Sequence, residues 1–205
     1  MPTLEVDISV AGDNSQELFV GPLSPAFLID ATCSWVCQNG GNLFTIITRF
    51  PGITIPNAAI INVAWVRFTS NQLSAGGPLP IARMHADPVD NAVAPTTLAE
   101  AQALRLRVVA PLVDWTIPDW APGEFGSPQQ TPEIRTVVQG IVDRAGWASG
   151  NALMVVGIGR SVPSMTTARC ARLLGNGGTT RLHIDYQDFV PGGGTPGSQH
   201  RALLL

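Results

Sequence analysis

Apolar and polar positions follow one another most legibly over residues 131–158, TPEIRTVVQGIVDRAGWASGNALMVVGI. Ile134, Val137, Val138 and Ile141 fall at the i, i+3, i+4, i+7 spacing of one helical face. Thr131 is placed to cap that helix, Pro132 suits its first position, and Glu133 suits its positive end. Arg144 in the last turn and Gly146 give a stop. Ser149-Gly150-Asn151 then forms a turn. The apolar run Ala152–Val156, with no alternation, predicts a strand covered on both faces and central in its sheet.

Upstream, the dominant period is two. Residues 4–10 alternate, as do Asn42–Phe50 and Leu79–Ala86, Ala58–Ser70 is a long extended run, and Gly/Pro/Asn breaks separate them. Shorter strands are predicted at Glu17–Val20, Ala26–Ile29, Thr32–Cys37, Leu106–Ala110 and Val113–Ile117. Thr97–Leu104 reads as a short helix capped by Thr96 or Thr97. Ser164–Leu174 and Thr179–Val190 close the series, the latter setting Leu182, Ile184 and Tyr186 against His183 and Asp185. About ten short strands with one or two short helices predict an all-β, antiparallel, jelly-roll-like β-sandwich. Residues 1–190 form that single domain, and 191–205, PGGGTPGSQHRALLL, read as a flexible arm with an apolar tip at Leu203, Leu204 and Leu205.

Composition narrows the classes. Only 13% of the 205 residues are charged, against roughly 25% in an average chain, and every basic residue is Arg. A net charge of −3 gives no reason to expect nucleic acid, and no apolar run approaches a membrane span. The first ten residues, MPTLEVDISV, lack the basic and apolar regions of a signal peptide. Cys33, Cys37 and Cys170 cannot all pair, and they read as small buried hydrophobes of a protein made in a reducing compartment.

Residues 43–70, LFTIITRFPGITIPNAAIINVAWVRFTS, carry an apolar strand, Arg-Phe and Ile-Pro-x-x-Ala-x-Ile. Together with VDWTIPDW (113–120), TPEIRTVVQGIVDRAGWASGNAL (131–153) and RLHIDY (181–186), they resemble DNRLRE-type, carbohydrate-binding-module-like β-sandwich domains over residues 42–188. The resemblance implies a jelly-roll-like sandwich of extracellular, adhesive and phage virion proteins, without chemistry of its own. The chain departs from those domains in starting at Met1 without a signal. By analogy it looks like a virion protein assembled in the host cytoplasm.

Motifs for catalysis or cofactors are missing: no Gly-x-Ser-x-Gly, His-Glu-x-x-His, P-loop, Gly-x-Gly-x-x-Gly or Cys-x-x-Cys occurs. No cofactor or metal is expected. A metal set from Cys33, Cys37, Cys170 and His183 would need four scattered groups to converge. Asp87, Asp90 and Asn91 share a loop that could hold Ca²⁺, but no bidentate Glu follows at ligand spacing, so a solvated turn is preferred. Asp114 and Asp119 flank Trp115 and Trp120, on paper like a glycosidase carboxylate pair. Trp115, Trp120 and Trp147 could form a glycan platform, with Trp120 expected to be exposed.

The expected function is therefore a non-enzymatic capsid decoration (cement) protein, with a carbohydrate-binding or adhesin module of a tail or head fibre as the alternative. Leu203, Leu204 and Leu205 are the expected assembly anchor. The charge deficit predicts a homo-oligomer, with a trimer favoured from the analogy, packed against other virion proteins such as the major capsid protein.

Overall fold

The computed structural model describes residues 1–21, 24–30, 34–39, 41–72, 76–163 and 168–189. In chain order the first half contains β1 (Thr3–Asp7), β2 (Asn14–Val20), β3 (Ala26–Ile29), β4 (Ser34–Trp35), β5 (Gln38–Asn39), β6 (Asn42–Phe50) and β7 (Ile60–Ser70). The second half contains β8 (Ile81–Ala86), α1 (Leu98–Leu106), β9 (Val113–Thr116), α2 (Arg135–Val142), β10 (Leu153–Arg160), β11 (Cys170–Arg172) and β12 (Thr180–Gln187). They form two antiparallel sheets: a five-stranded one ordered β1-β12-β7-β11-β4 and a seven-stranded one ordered β3-β2-β6-β10-β8-β9, with β5 alongside β6. The chain is an all-β antiparallel sandwich with two short α-helices among the described residues, and it passes repeatedly from one sheet to the other.

The main core lies between the sheets and includes Ile46, Phe50, Val66, Phe68, Met84, Val155, Leu182 and Ile184. A second cluster, Ile47, Ala101, Leu104, Ala152, Met154 and Val156, sits on the outer face of the seven-stranded sheet beneath α1. β6 and β10 are thus buried on both faces, which is why residues 152–156 are apolar without alternation. β10 does run between β6 and β8, as its pattern predicts. Gly159 on β10 is required by close approach, since a Cβ there would come within 1.9 Å of the Cys37 carbonyl oxygen.

Two readings are corrected. α2 begins at Arg135 with Ile134 as its N-cap, so Thr131 does not cap it. Residues 107–112 form no strand, and α1 extends to Leu106 instead.

Thr131 has a different role. β11 pairs with β7 only at Thr69 and Ser70, which leaves the rest of that β7 edge without a strand. Residues 130–139 take the strand's place. Arg67 bridges to Gln130. Thr131 N–H donates to Val66 O at 2.9 Å while its Oγ1 accepts from Val66 N–H at 3.0 Å. The Glu133 carboxylate accepts from Ala64 N–H at 2.7 Å, and Ile134 N–H donates to Ala64 O at 2.8 Å. Gln139 accepts from Ile61 N–H at 2.8 Å and donates to Ala59 O at 2.9 Å. The register with β12 slips by one residue, from Val63↔Asp185 to Ile61↔Tyr186. This bulge puts Ile61 on the buried side with Ala64, Val66 and Phe68 and leaves Ile60 outside, 51% exposed.

Thr131→Val keeps the side-chain volume but strands the buried Val66 N–H, so it should cost about 1–3 kcal/mol in urea unfolding. Arg135→Ala, at an exposed position on the same segment, should stay within about 0.5 kcal/mol of wild type. Equal effects would contradict the edge-sealing role.

Candidate interaction surface

The three tryptophans considered for a glycan platform are core residues. Trp115, Trp120 and Trp147 are 2%, 1% and 3% exposed. Trp115 stacks on Phe68 at 6.0 Å and lies 6.2 Å from Trp120. The indole N–H groups donate internally, Trp120 to Pro128 O at 2.9 Å and Trp147 to Ile55 O at 3.0 Å. No ring of the three presents a face to a sugar, and Trp120 is not exposed as expected. The Trp120 and Trp147 indoles each find a carbonyl inside, so burying them leaves no N–H of theirs unpaired.

Trp65 is only half-buried, on the outer face of the five-stranded sheet. Its cross-strand neighbour His183 stacks on it at 4.4 Å with 3° between planes, and the Arg67 guanidinium lies 4.3 Å from the ring centroid. Around them Arg181 pairs with Asp7 and Glu5 at 2.7 and 2.9 Å, and His183 Nδ1 sits 3.1 Å from Glu5. This face is a closed ladder of charges.

The carboxylates singled out in the sequence are held by arginines. Asp114 takes a fork from Arg83 at 2.8 and 3.1 Å, which pulls its pKa below the ordinary value. A glycosidase acid needs the opposite shift. Asp119 pairs at 2.8 Å with Arg169, a wholly buried arginine. In the loop considered for Ca²⁺, Asp87 is bound to Arg107, Asp90 to Arg144 at 2.6 Å, and Asn91 Oδ1 accepts from Ala152 N–H at 2.8 Å. Guanidinium groups occupy the place of the cation. Among the described residues, no group of three or more His, Cys, Asp or Glu side chains is placed to hold a metal.

The cysteines part company. Cys37 is a free, fully buried thiol whose pKa burial pushes up to about 12. Cys170 is disulfide-bonded, which corrects its reading as a small buried thiol. A disulfide persists in oxidising surroundings and not in a reducing cytosol. Cys33 and the expected anchor Leu203, Leu204 and Leu205 lie outside the described residues.

The surface that sequence reasoning missed is built on α1. Thr97 caps it, accepting from Glu100 N–H at 3.3 Å, while the Glu100 carboxylate accepts from Thr96 N–H at 2.7 Å and Thr97 N–H at 3.1 Å. Ala101 and Leu104 face down onto Ile47, Met154 and Val156. Two arginines fasten its C-terminal end. Arg105 reaches Glu17, which is fully buried, through bonds of 2.9 and 3.1 Å, and its guanidinium covers Phe19 at 4.6 Å. Arg107 reaches Asp87 at 2.7 Å, where burial pushes the carboxyl pKa up against the pull of the guanidinium. Nearby His85 is also fully buried, and desolvation pushes its imidazole pKa down.

With its lower side held this way, α1 ends in the exposed Leu106, and the segments on either side of it carry further apolar groups into solvent. Val93 is 79% exposed and Leu106 72%, and Val108, Val109 and Leu112 are also exposed. A groove of about 210 Å³ runs between Val93–Pro95 and Ala103, Leu104 and Arg107. Single exposed apolar residues are ordinary; several adjoining ones beside a groove mark a contact surface. The signal in the sequence was RLRVVAPLV (105–113), an apolar run without the alternation of a strand.

Arg105→Ala should cost about 3–5 kcal/mol, because it leaves the Glu17 carboxylate buried and unpaired; a loss under about 1 kcal/mol by urea unfolding would contradict the clamp. His85 predicts a pH slope. With its folded pKa depressed, the unfolded chain binds the extra proton, so stability is complete above roughly pH 6.5 and falls as pH drops through that value. The loss between about pH 7.5 and pH 5.5 should shrink in His85→Leu; an unaltered slope would exclude His85 as its source. Asp87, shifted upward, acts with the opposite sign at lower pH and cancels in that comparison.

Comparison of the chain with family models, with curated proteins and with solved structures finds no match.

Proposed function

We propose that the chain is a non-enzymatic virion structural protein, a capsid decoration protein, that attaches to its neighbours through the α1 side of the sandwich. The observation that carries this reading is the solvent-facing apolar groups around α1: Val93, which lines the groove, and Leu106, Val108, Val109 and Leu112 at and beyond the helix's C-terminal end. Leu106 ends α1, whose C-terminal end is clamped through buried carboxylates, and Val108, Val109 and Leu112 follow it in the chain. The opposite face, with Glu5, Asp7, Arg181 and His183 interlocked, is suited to stay in water. That polarity gives a decoration protein an inner and an outer side. The disulfide at Cys170 suits a particle that ends up in oxidising surroundings, even when its chains are made in a cytoplasm.

Self-association belongs to the same proposal, since 13% charged residues leave little charge to keep a lone domain apart from its copies. The family resemblance, with the virion and adhesive settings it implies, is compatible with it. The alternative of a carbohydrate-binding or adhesin module loses the three tryptophans on which it stood.

Leu106→Asp with Val109→Asp places charge on the surface without touching the core, so the melting temperature should hold. A tagged copy carrying both changes should be recovered with virions from the natural source at about a tenth of the wild-type level or less, and immunogold negative-stain images should lose their label. Full retention of the variant would remove this surface from the function.

A further inference from the structure

Sheet edges present unpaired N–H and C=O groups, and proteins usually blunt them with charge or by keeping the strand very short. β1 turns Glu5 and Asp7 to solvent, β9 carries Asp114, and β4 is two residues long. β3 is different. Its four residues, Ala26, Phe27, Leu28 and Ile29, are all apolar, and no charged residue lies between Glu17 and Asp30. Leu28 and Ile29 are 50% and 44% exposed, and Val20 at the end of the adjoining β2 is 45% exposed.

The pairing with β2 shows which backbone groups are left over. The register runs Ser15↔Ile29, Gln16↔Leu28, Glu17↔Phe27 and Leu18↔Ala26, and Asp30 N–H donates to Asn14 O at 2.9 Å. In an antiparallel ladder alternate residues bond to the same neighbour, so Leu28 and Ala26 turn toward β2 along with Asp30. Phe27 and Ile29 turn their N–H and C=O groups to the other edge, where no described strand lies.

We propose that β3 pairs antiparallel with β3 of a second copy of this chain, about a twofold axis at Leu28. In that register Phe27 of each copy faces Ile29 of the other, and the four outward groups of one edge meet the same four of its twin. Leu28 lies opposite Leu28 of the copy as a non-hydrogen-bonded pair, with Cα atoms about 4.5 Å apart, and each covers the other's exposed side chain. A second copy fits because the edge is complementary to itself, and because two chains of net charge −3 meet there without a like-charge contact. This inference rests on the proposed self-association and specifies it: a twofold contact joins two copies, where the analogy with decoration proteins led to three.

Light scattering at micromolar concentration, combined with cysteine cross-linking, tests it. The wild type should have twice the 21.6 kDa chain mass, and Leu28→Lys should return it to one chain with its far-UV spectrum and melting temperature kept. Leu28→Cys should cross-link to its twin under mild oxidation, because the pair falls within disulfide reach, while Leu79→Cys, 41% exposed elsewhere, should not. Cys37 is buried and does not compete. A wild-type monomer, a Leu28→Lys protein of unchanged mass, or cross-linking no greater than at Leu79→Cys would each overturn the proposal. Particle attachment through α1 is read separately with the Leu106→Asp, Val109→Asp protein, so either idea can fail while the other stands.

Discussion

The fold depends on how one long strand has its second edge satisfied. β7 crosses the middle of the five-stranded sheet and is paired along its length with β12, but β11 meets it only at its last two residues. Five or six backbone groups beside the main core would otherwise be unpaired, and each such group costs about 1–3 kcal/mol. Gln130, Thr131, Glu133, Ile134 and Gln139 supply the missing partners, partly with backbone and partly with side chains. A strand in their place would end the sheet flat. A segment that turns into a helix can instead set Val137, Val138 and Ile141 into the same core. The bulge at Asn62 belongs to this arrangement, since it points the Ile61 N–H at Gln139.

Charge in this protein is used mostly within the chain. Among the described residues, Arg49, Arg83, Arg105, Arg107, Arg144, Arg160, Arg169 and Arg181 are each bound to a carboxylate. Several of those carboxylates, Asp13, Glu17 and Asp87, are buried, so the pairs act as internal fasteners and not as a solubilising shell. The guanidinium fork suits that use, as it can fill two acceptor sites at once. The exterior is consequently uneven: an interlocked polar face on the five-stranded sheet, and on the other side an apolar surface at α1 with an uncharged edge at β3.

What could be read from the sequence was whatever a local period encodes. The α2 face, the central position of β10, most strands and a threonine cap on α1, at Thr96 or Thr97, follow from spacing within ten residues. What could not be read were partnerships across the chain. Thr131 looks like a helix cap, yet its hydroxyl is engaged by Val66, 65 positions away. Trp120 in a proline-rich loop looks exposed, but Pro128 O accepts its N–H and lets the ring sink inward. Asp87 and Asp90 look like a cation loop until Arg107 and Arg144 arrive from other elements. The α1 surface was hidden for a related reason. Leu106–Ala110 has the residues of a strand, but Arg105 and Arg107 turn inward to Glu17 and Asp87 while Leu106, Val108 and Val109 face out.

The central claim is that the seven-stranded side of the sandwich, with α1, is the side that meets other chains. Hydrogen exchange on the isolated protein and on assembled particles measures this directly. The account predicts that amides in residues 93–112 and in β3 gain protection on assembly, while those of β1 and the outer residues of β12 stay as they were. Protection gained instead across Glu5, Asp7, Arg181 and His183, with 93–112 unchanged, would contradict it.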